Sequence, residues 1–133
     1  MKDLGELHRL AMQAADEAFL LRRQGDGEAA REAFRRALDC EAEAACLLAP
    51  DTEREPTRSV LHRSAATLAL HCEDWQTAED LAATALRGDP PEEIAEELRE
   101  VLGRAQARQH PEQDGPSERP PEPRPRTGRR DVT

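Results

Sequence analysis

An all-α fold of about five helices, followed by a disordered C-terminal tail, is what this sequence predicts. Three observations point that way. Charged residues fill 35% of the 133 positions and aromatics only 2%, with Phe19, Phe34 and Trp75 the complete set of aromatic rings. Valine and isoleucine occur only at Val60, Ile94, Val101 and Val132, so there is little β-branched material for strands. Alanine and leucine recur at three- and four-residue spacing up to about residue 107 and then stop.

Residues 4–23, "LGELHRLAMQAADEAFLLRR", place Leu7, Leu10, Ala11, Ala14, Ala18 and Leu21 at helical spacing. "QGDG" at 24–27 reads as a turn and helix stop. Residues 28–48 resume the pattern through Ala30, Ala33, Phe34, Ala37 and Leu38. Pro50 and Pro56 then bracket a polar connection. Residues 57–72 predict a third helix, with Thr57 or Ser59 as its cap and Leu61, Ala65 and Leu68 on its apolar face. "EDW" makes a tight link to a fourth helix over 76–87, carrying Ala78, Leu81, Ala82, Ala85 and Leu86. "GDPP" at 88–91 reads as a stop and restart, with Gly88 as a left-handed cap. A fifth helix over 92–107 puts Ile94, Leu98, Val101, Leu102 and Ala105 on one stripe. The expected division is therefore a helical domain at 1–107 and a Pro/Arg/Glu-rich tail at 108–133. Six of the ten prolines lie in that tail, and it has too little apolar surface to offset the entropy of ordering.

The net charge of −9 argues against nonspecific nucleic-acid binding. Residues 1–107 carry 13 basic and 23 acidic side chains, and the tail carries 6 arginines against 5 acids. No apolar run approaches the roughly 18–20 residues of a membrane span. The opening "MKDLGELHRL" is charged and helix-patterned, unlike a signal peptide, so a cytoplasmic protein is expected. Cys40, Cys46 and Cys72 are an odd number without paired spacing, which suits buried thiols in a reducing compartment.

The chain also matches itself. Laying 25–38, "GDGEAAREAFRRAL", over 73–86, "EDWQTAEDLAATAL", pairs Ala30 with Ala78, Ala33 with Leu81, Phe34 with Ala82, Ala37 with Ala85 and Leu38 with Leu86. Upstream, Ala18 pairs with Ala66 and Leu20 with Leu68. Small residues at these places let antiparallel helices approach closely. The pattern resembles the tetratricopeptide repeat over roughly residues 11–91. Ala18 and Ala66 match that family's small residue where the paired helices cross, and Leu21 its following bulky residue. Trp75 matches the aromatic that opens the second helix, and Pro90 the proline that ends the unit. The chain departs from the family at Gly27, Ala42 and Ala69, and its two units are offset by 48 residues rather than about 34. The first unit also resembles the three-helix microtubule-interacting-and-transport module. Residues 58–102 are similar to a segment that recurs in small bacterial proteins.

The resemblance implies that the first helix of each unit lines a groove. The positions carried over are Met12, Ala15, Phe19, Arg22 and Arg23, with Val60, Arg63, Thr67, Leu70 and His71 in the second unit. Such a groove has an apolar floor and cationic edges, suited to a peptide bearing carboxylates. The carboxylate clamp of chaperone-binding members is absent, because Ala15 and Phe19 replace its Lys and Asn. Leu70 cannot both line the groove and replace the bulky residue missing at Ala69. Trp75 is expected to pack within the repeat rather than stack on a ligand.

No site chemistry competes with this. Cys40 and Cys46 are about 240° apart around a helix, so they cannot chelate one ion. Ser59 and Ser64 lie near His62, but no third orienting residue or nucleophile elbow accompanies them. There is no phosphate loop or dinucleotide fingerprint, so no enzyme, metal or cofactor is expected. The expected function is an adaptor that binds a protein or peptide partner, with self-association one way to complete a two-unit array. The alternative is an accessory or regulatory subunit of a bacterial operon, toxin-neutralising or enzyme-docking.

Overall fold

The computed structural model describes residues 2–111, and among these every regular element is helical. The elements are α1 (Leu4–Arg23), α2 (Gly27–Leu48), a short 3-10 turn (Thr52–Arg54), α3 (Thr57–His71), α4 (Trp75–Leu86) and α5 (Glu92–Gln109). The expected tail beyond residue 111 lies outside the described residues. Its assigned start at 108 is corrected, because Arg108 and Gln109 are the last residues of α5.

Three helix starts have the same chemistry. Asp3, Asp26 and Asp74 each turn a carboxylate oxygen back to the free backbone N–H three residues on, at Glu6, Ala29 and Thr77. The Asp74 carboxyl sits below the ordinary carboxylate range. Burial pushes it up, and hydrogen bonds from Thr77 and the charge of Arg35 more than reverse that. α3 starts differently. Neither Thr57 nor Ser59 caps it; Glu55 accepts the Ser59 backbone N–H at 3.2 Å instead.

The turns between α1 and α2 and between α3 and α4 are alike bond for bond. In the first, Asp26 N–H bonds Leu21 O at 3.0 Å and Gly25 N–H bonds Arg22 O at 3.0 Å. In the second, Asp74 N–H bonds Ala69 O at 2.9 Å and Glu73 N–H bonds Leu70 O at 3.0 Å. These paired bonds form the left-handed helix stop, and the corner residues Gly25 and Glu73 have φ of 85° and 62°. Gly88, expected to have that role, is not left-handed. It is small for another reason: a Cβ there would collide with the Arg58 guanidinium.

Contacts give the helix directions. His8 meets Glu41 and Glu17 meets Arg36, so α1 and α2 are antiparallel. Arg58 reaches Thr84 and Ala85, and Trp75 meets Arg108, so α4 opposes both α3 and α5. Arg63 binds Glu97 at 2.7 Å, 34 residues on, and α3 and α5 therefore run parallel. Phe19 on α1 meets His71 at the far end of α3, so α1 points the same way. The odd-numbered helices thus share one direction and the even-numbered ones the other.

Alanine makes this close packing possible. Ala18, Ala33, Ala37, Ala66, Ala78 and Ala85 are all buried, in agreement with the self-alignment. Leu20 breaks it: it is 47% exposed, whereas its counterpart Leu68 is in the core. Leu68 also settles the space beside Ala69, which leaves Leu70 free to line a cleft.

One arginine joins three helix ends. Arg58 is buried, and its Nε donates to Ala49 O at 2.7 Å while its Nη atoms donate to Thr84 O at 3.1 Å and Ala85 O at 3.4 Å. It thereby supplies donors to the Ala49 and Thr84 carbonyls at the C-terminal ends of α2 and α4, and a second one to Ala85 O, which also accepts Gly88 N–H. Glu55 stands 3.4 Å from the same guanidinium. Burial pushes the Glu55 carboxyl up, and the Ser59 and Asp89 contacts and Arg58 bring it below the ordinary range. The Ser59 hydroxyl lies beside that carboxylate but meets no hydrogen-bond geometry.

Candidate binding site: aromatic rings and arginines at one end of the bundle

All three aromatic side chains lie around the C-terminal end of α3. His71, the last residue of α3, stacks on Phe34 of α2 at 4.6 Å between centroids and 11° between planes. Phe19 of α1 sets its edge against both rings, at 5.0 Å from Phe34 and 5.3 Å from His71. Arg22, one turn beyond Phe19, lays its guanidinium 4.6 Å from the Phe34 centroid and points Nη2 at His71 Nδ1, 3.0 Å away. A guanidinium cannot accept a hydrogen bond, so Nδ1 is the acceptor and the imidazole proton sits on Nε2. The ring is therefore neutral. Burial, with Arg22 and Arg104 adding to it, holds His71 below the ordinary histidine range.

This cluster forms one wall of a cleft of about 190 Å³, whose other lining residues include Ala30, Arg31 and Glu73. A second cleft of about 250 Å³ opens on the other side of the α3 end, lined by Leu70, Trp75, Arg104, Ala107 and Arg108. Trp75 is half-buried at the start of α4, with the Arg108 guanidinium 4.4 Å from its ring. Trp75 thus packs against the core and also shows an edge to a cleft. Arg104 serves both clefts: it lines the second and its charge acts on His71 at the first.

The arginines divide into two groups. Arg31, Arg35, Arg36, Arg58, Arg63 and Arg99 each pair with a carboxylate. Arg9, Arg22, Arg23, Arg54, Arg87, Arg104 and Arg108 make no ion pair among the described residues, and of these Arg22, Arg104 and Arg108 line the two clefts. In a chain of net charge −9, Arg22 faces Phe19, Phe34 and His71, and Arg108 faces Trp75. Such an arrangement suits an anionic group flanked by apolar atoms: the guanidiniums offer forked donors and the rings a flat apolar floor.

Of the groove positions, the structure brings together Phe19, Arg22 and His71 and places Leu70 beside them. Arg63 pairs with Glu97, and Ala15 is buried. Met12 and Val60 are half-buried; Arg23 and Thr67 are exposed, outside the cluster. The sequence reading missed Phe34, Arg104 and Arg108. The only available signal was the spacing of Arg104 and Arg108, four apart and hence on one face of α5.

Two further histidines are accounted for. His62 is buried and donates Nδ1–H to Arg58 O at 2.7 Å, so it neither pairs with Ser59 nor faces a cleft. At the opposite end, His8 Nδ1 stands 3.0 Å from both oxygens of Glu41, a fully buried carboxylate. His8 also lines an apolar cleft of about 260 Å³ with Leu4, Pro56, Val60 and Leu61. The cysteines are all free thiols; burial pushes the Cys72 thiol up, but Cys46 is exposed, contrary to the expectation of buried thiols. Among the described residues no three metal-ligating side chains gather, and no helix is long and apolar enough to cross a membrane. Comparison with protein-family models, with curated proteins and with solved structures gives no match for this chain.

Proposed function

We propose that this chain is a tetratricopeptide-like interaction module that takes an acidic, partly apolar segment of a protein partner into the two clefts beside His71. The observation that carries this reading is that Arg22 lies over Phe34, Arg108 over Trp75 and Arg104 between them at the clefts, none of the three in an ion pair among the described residues. The repeat part of the reading is supported by the Arg63–Glu97 contact, 34 residues apart between parallel helices, and by the duplicated turn 48 residues apart. A partner carboxylate would displace the Arg22–His71 hydrogen bond and gain a charge-assisted one, while its apolar neighbour covers Leu70 and the Trp75 edge.

Panning a display library of random peptides against the full chain tests this. Enriched peptides are expected to carry Asp or Glu next to an apolar residue. They should lose at least tenfold in affinity for a variant with Arg22→Glu and Arg104→Glu whose helical circular dichroism is intact. Peptides with no acidic bias, or unchanged affinity for that folded variant, would remove the clefts from the account.

A further inference from the structure

The opposite end of the bundle holds a second built site. Glu41 of α2 is a fully buried carboxylate, and His8 of α1 is its only hydrogen-bond partner among the described residues. Nδ1 stands 3.0 Å from both carboxylate oxygens, so one shared proton serves the pair. A buried carboxylate with no further donor needs that proton to neutralise it. If the proton sits on Glu41, Nδ1 accepts and the ring's own proton is on Nε2. If it sits on Nδ1, the ring is an imidazolium and Nε2 is again protonated. The neutral pair therefore presents Nε2–H as a donor in either form. That donor has no partner among the described residues, and the His8 side chain is 45% exposed. The cleft of about 260 Å³ lies beside it. Leu4, Pro56, Val60 and Leu61 give the cleft its apolar lining, and His8 and Thr57 are its only lining residues with polar side chains. At roughly 30 Å³ per non-hydrogen atom, the share of a water molecule in the liquid, it has room for about eight or nine atoms.

We infer that this cleft binds an aliphatic monocarboxylate of about six carbons, with its chain against Leu4, Val60 and Leu61 and its carboxylate on His8 Nε2–H. One fixed donor at the edge of an apolar hollow selects a molecule with an acceptor at one end and a hydrocarbon body. A carboxylate is favoured over an alcohol because it draws the shared proton onto the ring. The imidazolium then stands between two anions, and both of its hydrogen bonds are charge-assisted. An ammonium head finds no acceptor in Nε2–H. Glu41 does not touch the ligand; it is a positioning residue that orients the ring and supplies the shared proton's second home. The site is separate from the His71 clefts: His8 and Arg22 are 14 positions apart on α1, roughly 21 Å along the helix. It therefore does not depend on the peptide-binding reading.

The test titrates the full chain, with nitrogen-15 in its histidine rings, with sodium hexanoate, hexanol and hexylamine, and follows the ring resonances by NMR. Hexanoate is expected to shift His8 saturably with a Kd on the order of 1 mM and to leave His71 unmoved. Hexanol should bind about tenfold more weakly, and hexylamine not at all. Equal affinity for hexanol would make the cleft a seat for any aliphatic group, a partner's leucine included, and would overturn the His8 anchor. Shifts confined to His71 would place the anion at the other end, and no saturation by about 20 mM would remove the ligand; either overturns the site. Two variants bear on the geometry. Gly5 also lines the cleft, and a Cβ there meets only Asp3 Oδ1 at 3.7 Å, an ordinary contact, so Gly5→Leu fills the space without a collision. It should keep its helical circular dichroism and weaken hexanoate at least about tenfold; unchanged affinity in the folded variant would place the ligand elsewhere. Glu41→Gln removes the charge behind the ring, so the preference for hexanoate over hexanol should fall to near parity. A preference that survives this change would overturn the shared proton.

Discussion

Exchanging the corner residues of the two duplicated turns should move stability in opposite directions. Gly25 and Glu73 hold the same left-handed corner of the same hydrogen-bonded turn, yet only one is a glycine. A side chain in that conformation costs about 1–2 kcal/mol relative to glycine. Glu73→Gly removes this cost, but it adds roughly 0.5–1 kcal/mol of chain entropy to the unfolded state. It also gives up the Arg31 ion pair, whose partners are 60% and 52% exposed at 3.4 Å. Exposed pairs of that kind contribute from about zero to a few tenths of a kcal/mol. The net expectation is a gain of about 0.5 kcal/mol. For Gly25→Glu the same terms reverse, and a Cβ meets nothing within 4 Å, so no collision enlarges the loss. It should cost about 0.5–1 kcal/mol. At roughly 4–8 °C per kcal/mol for a domain of this size, the midpoint rises by about 3 °C for one variant and falls by about 3–6 °C for the other. Thermal melting followed by helical circular dichroism measures both. A lowered midpoint for Glu73→Gly would refute the assignment of strain to that corner.

Two other perturbations follow from buried groups. Arg58→Met leaves the carbonyls of Ala49 and Thr84 without their side-chain donor and Glu55 without its cation; it should cost about 3–5 kcal/mol in denaturant unfolding, and a loss under 1 kcal/mol would show that the guanidinium is not the tie between α2 and α4. Acid should weaken the fold in two separate steps. His62 and His71 are held below the ordinary histidine value of 6.5, chiefly by burial, so below about pH 6.5 the unfolded chain takes up protons that the native chain refuses. Their contribution is complete above that pH and falls as pH drops through it, by at most about 1.4 kcal/mol per pH unit for each ring. Glu55 and Asp74 are held below 4.5 and 3.8, so their contribution is complete above those values and is lost only further down. Urea midpoints between pH 7.5 and 4 should show the histidine step first and a smaller one in His71→Gln; a flat profile down to pH 5 would refute it.

The helices were legible because local rules and tertiary packing agree here. Aspartates at 3, 26 and 74 cap, glycine and proline stop, and alanine spacing marks the buried stripe, so the starts and stops of α1 and α2 fall within a residue of their expected places. The exceptions come from long-range chemistry. Gly88 reads as a left-handed cap until Arg58 is seen against it, and Arg58 reads as one more surface charge until its distant carbonyls come into reach. Arg63 reads as a groove cation until Glu97 arrives from the next parallel helix.

The binding clefts were the least legible part, because every useful contact in them joins residues far apart in the chain. Arg22 and His71 are separated by 49 positions, and no periodicity within one helix announces their meeting. What the composition does supply is a constraint on where rings can go. A core of alanines and leucines at close helix crossings has room for one large ring, Phe34, near its end. The other two stand at the end of the bundle, where α1, α3 and α5 finish and turns replace crossings. Arg22, Arg104 and Arg108 are found at the same end. Phe34 is buried in the core, while Phe19 and Trp75 stay partly exposed at its end, where a partner can reach them. Substituting Leu for Ala37, which is buried on the same helix as Phe34, should force α2 outward and cost about 1–3 kcal/mol. If the argument holds, it should also loosen the Phe34–His71 stack, read as a rise of the His71 titration midpoint toward 6.5. A destabilised variant whose His71 titrates unchanged would separate the crossings from the site and break the link drawn between them.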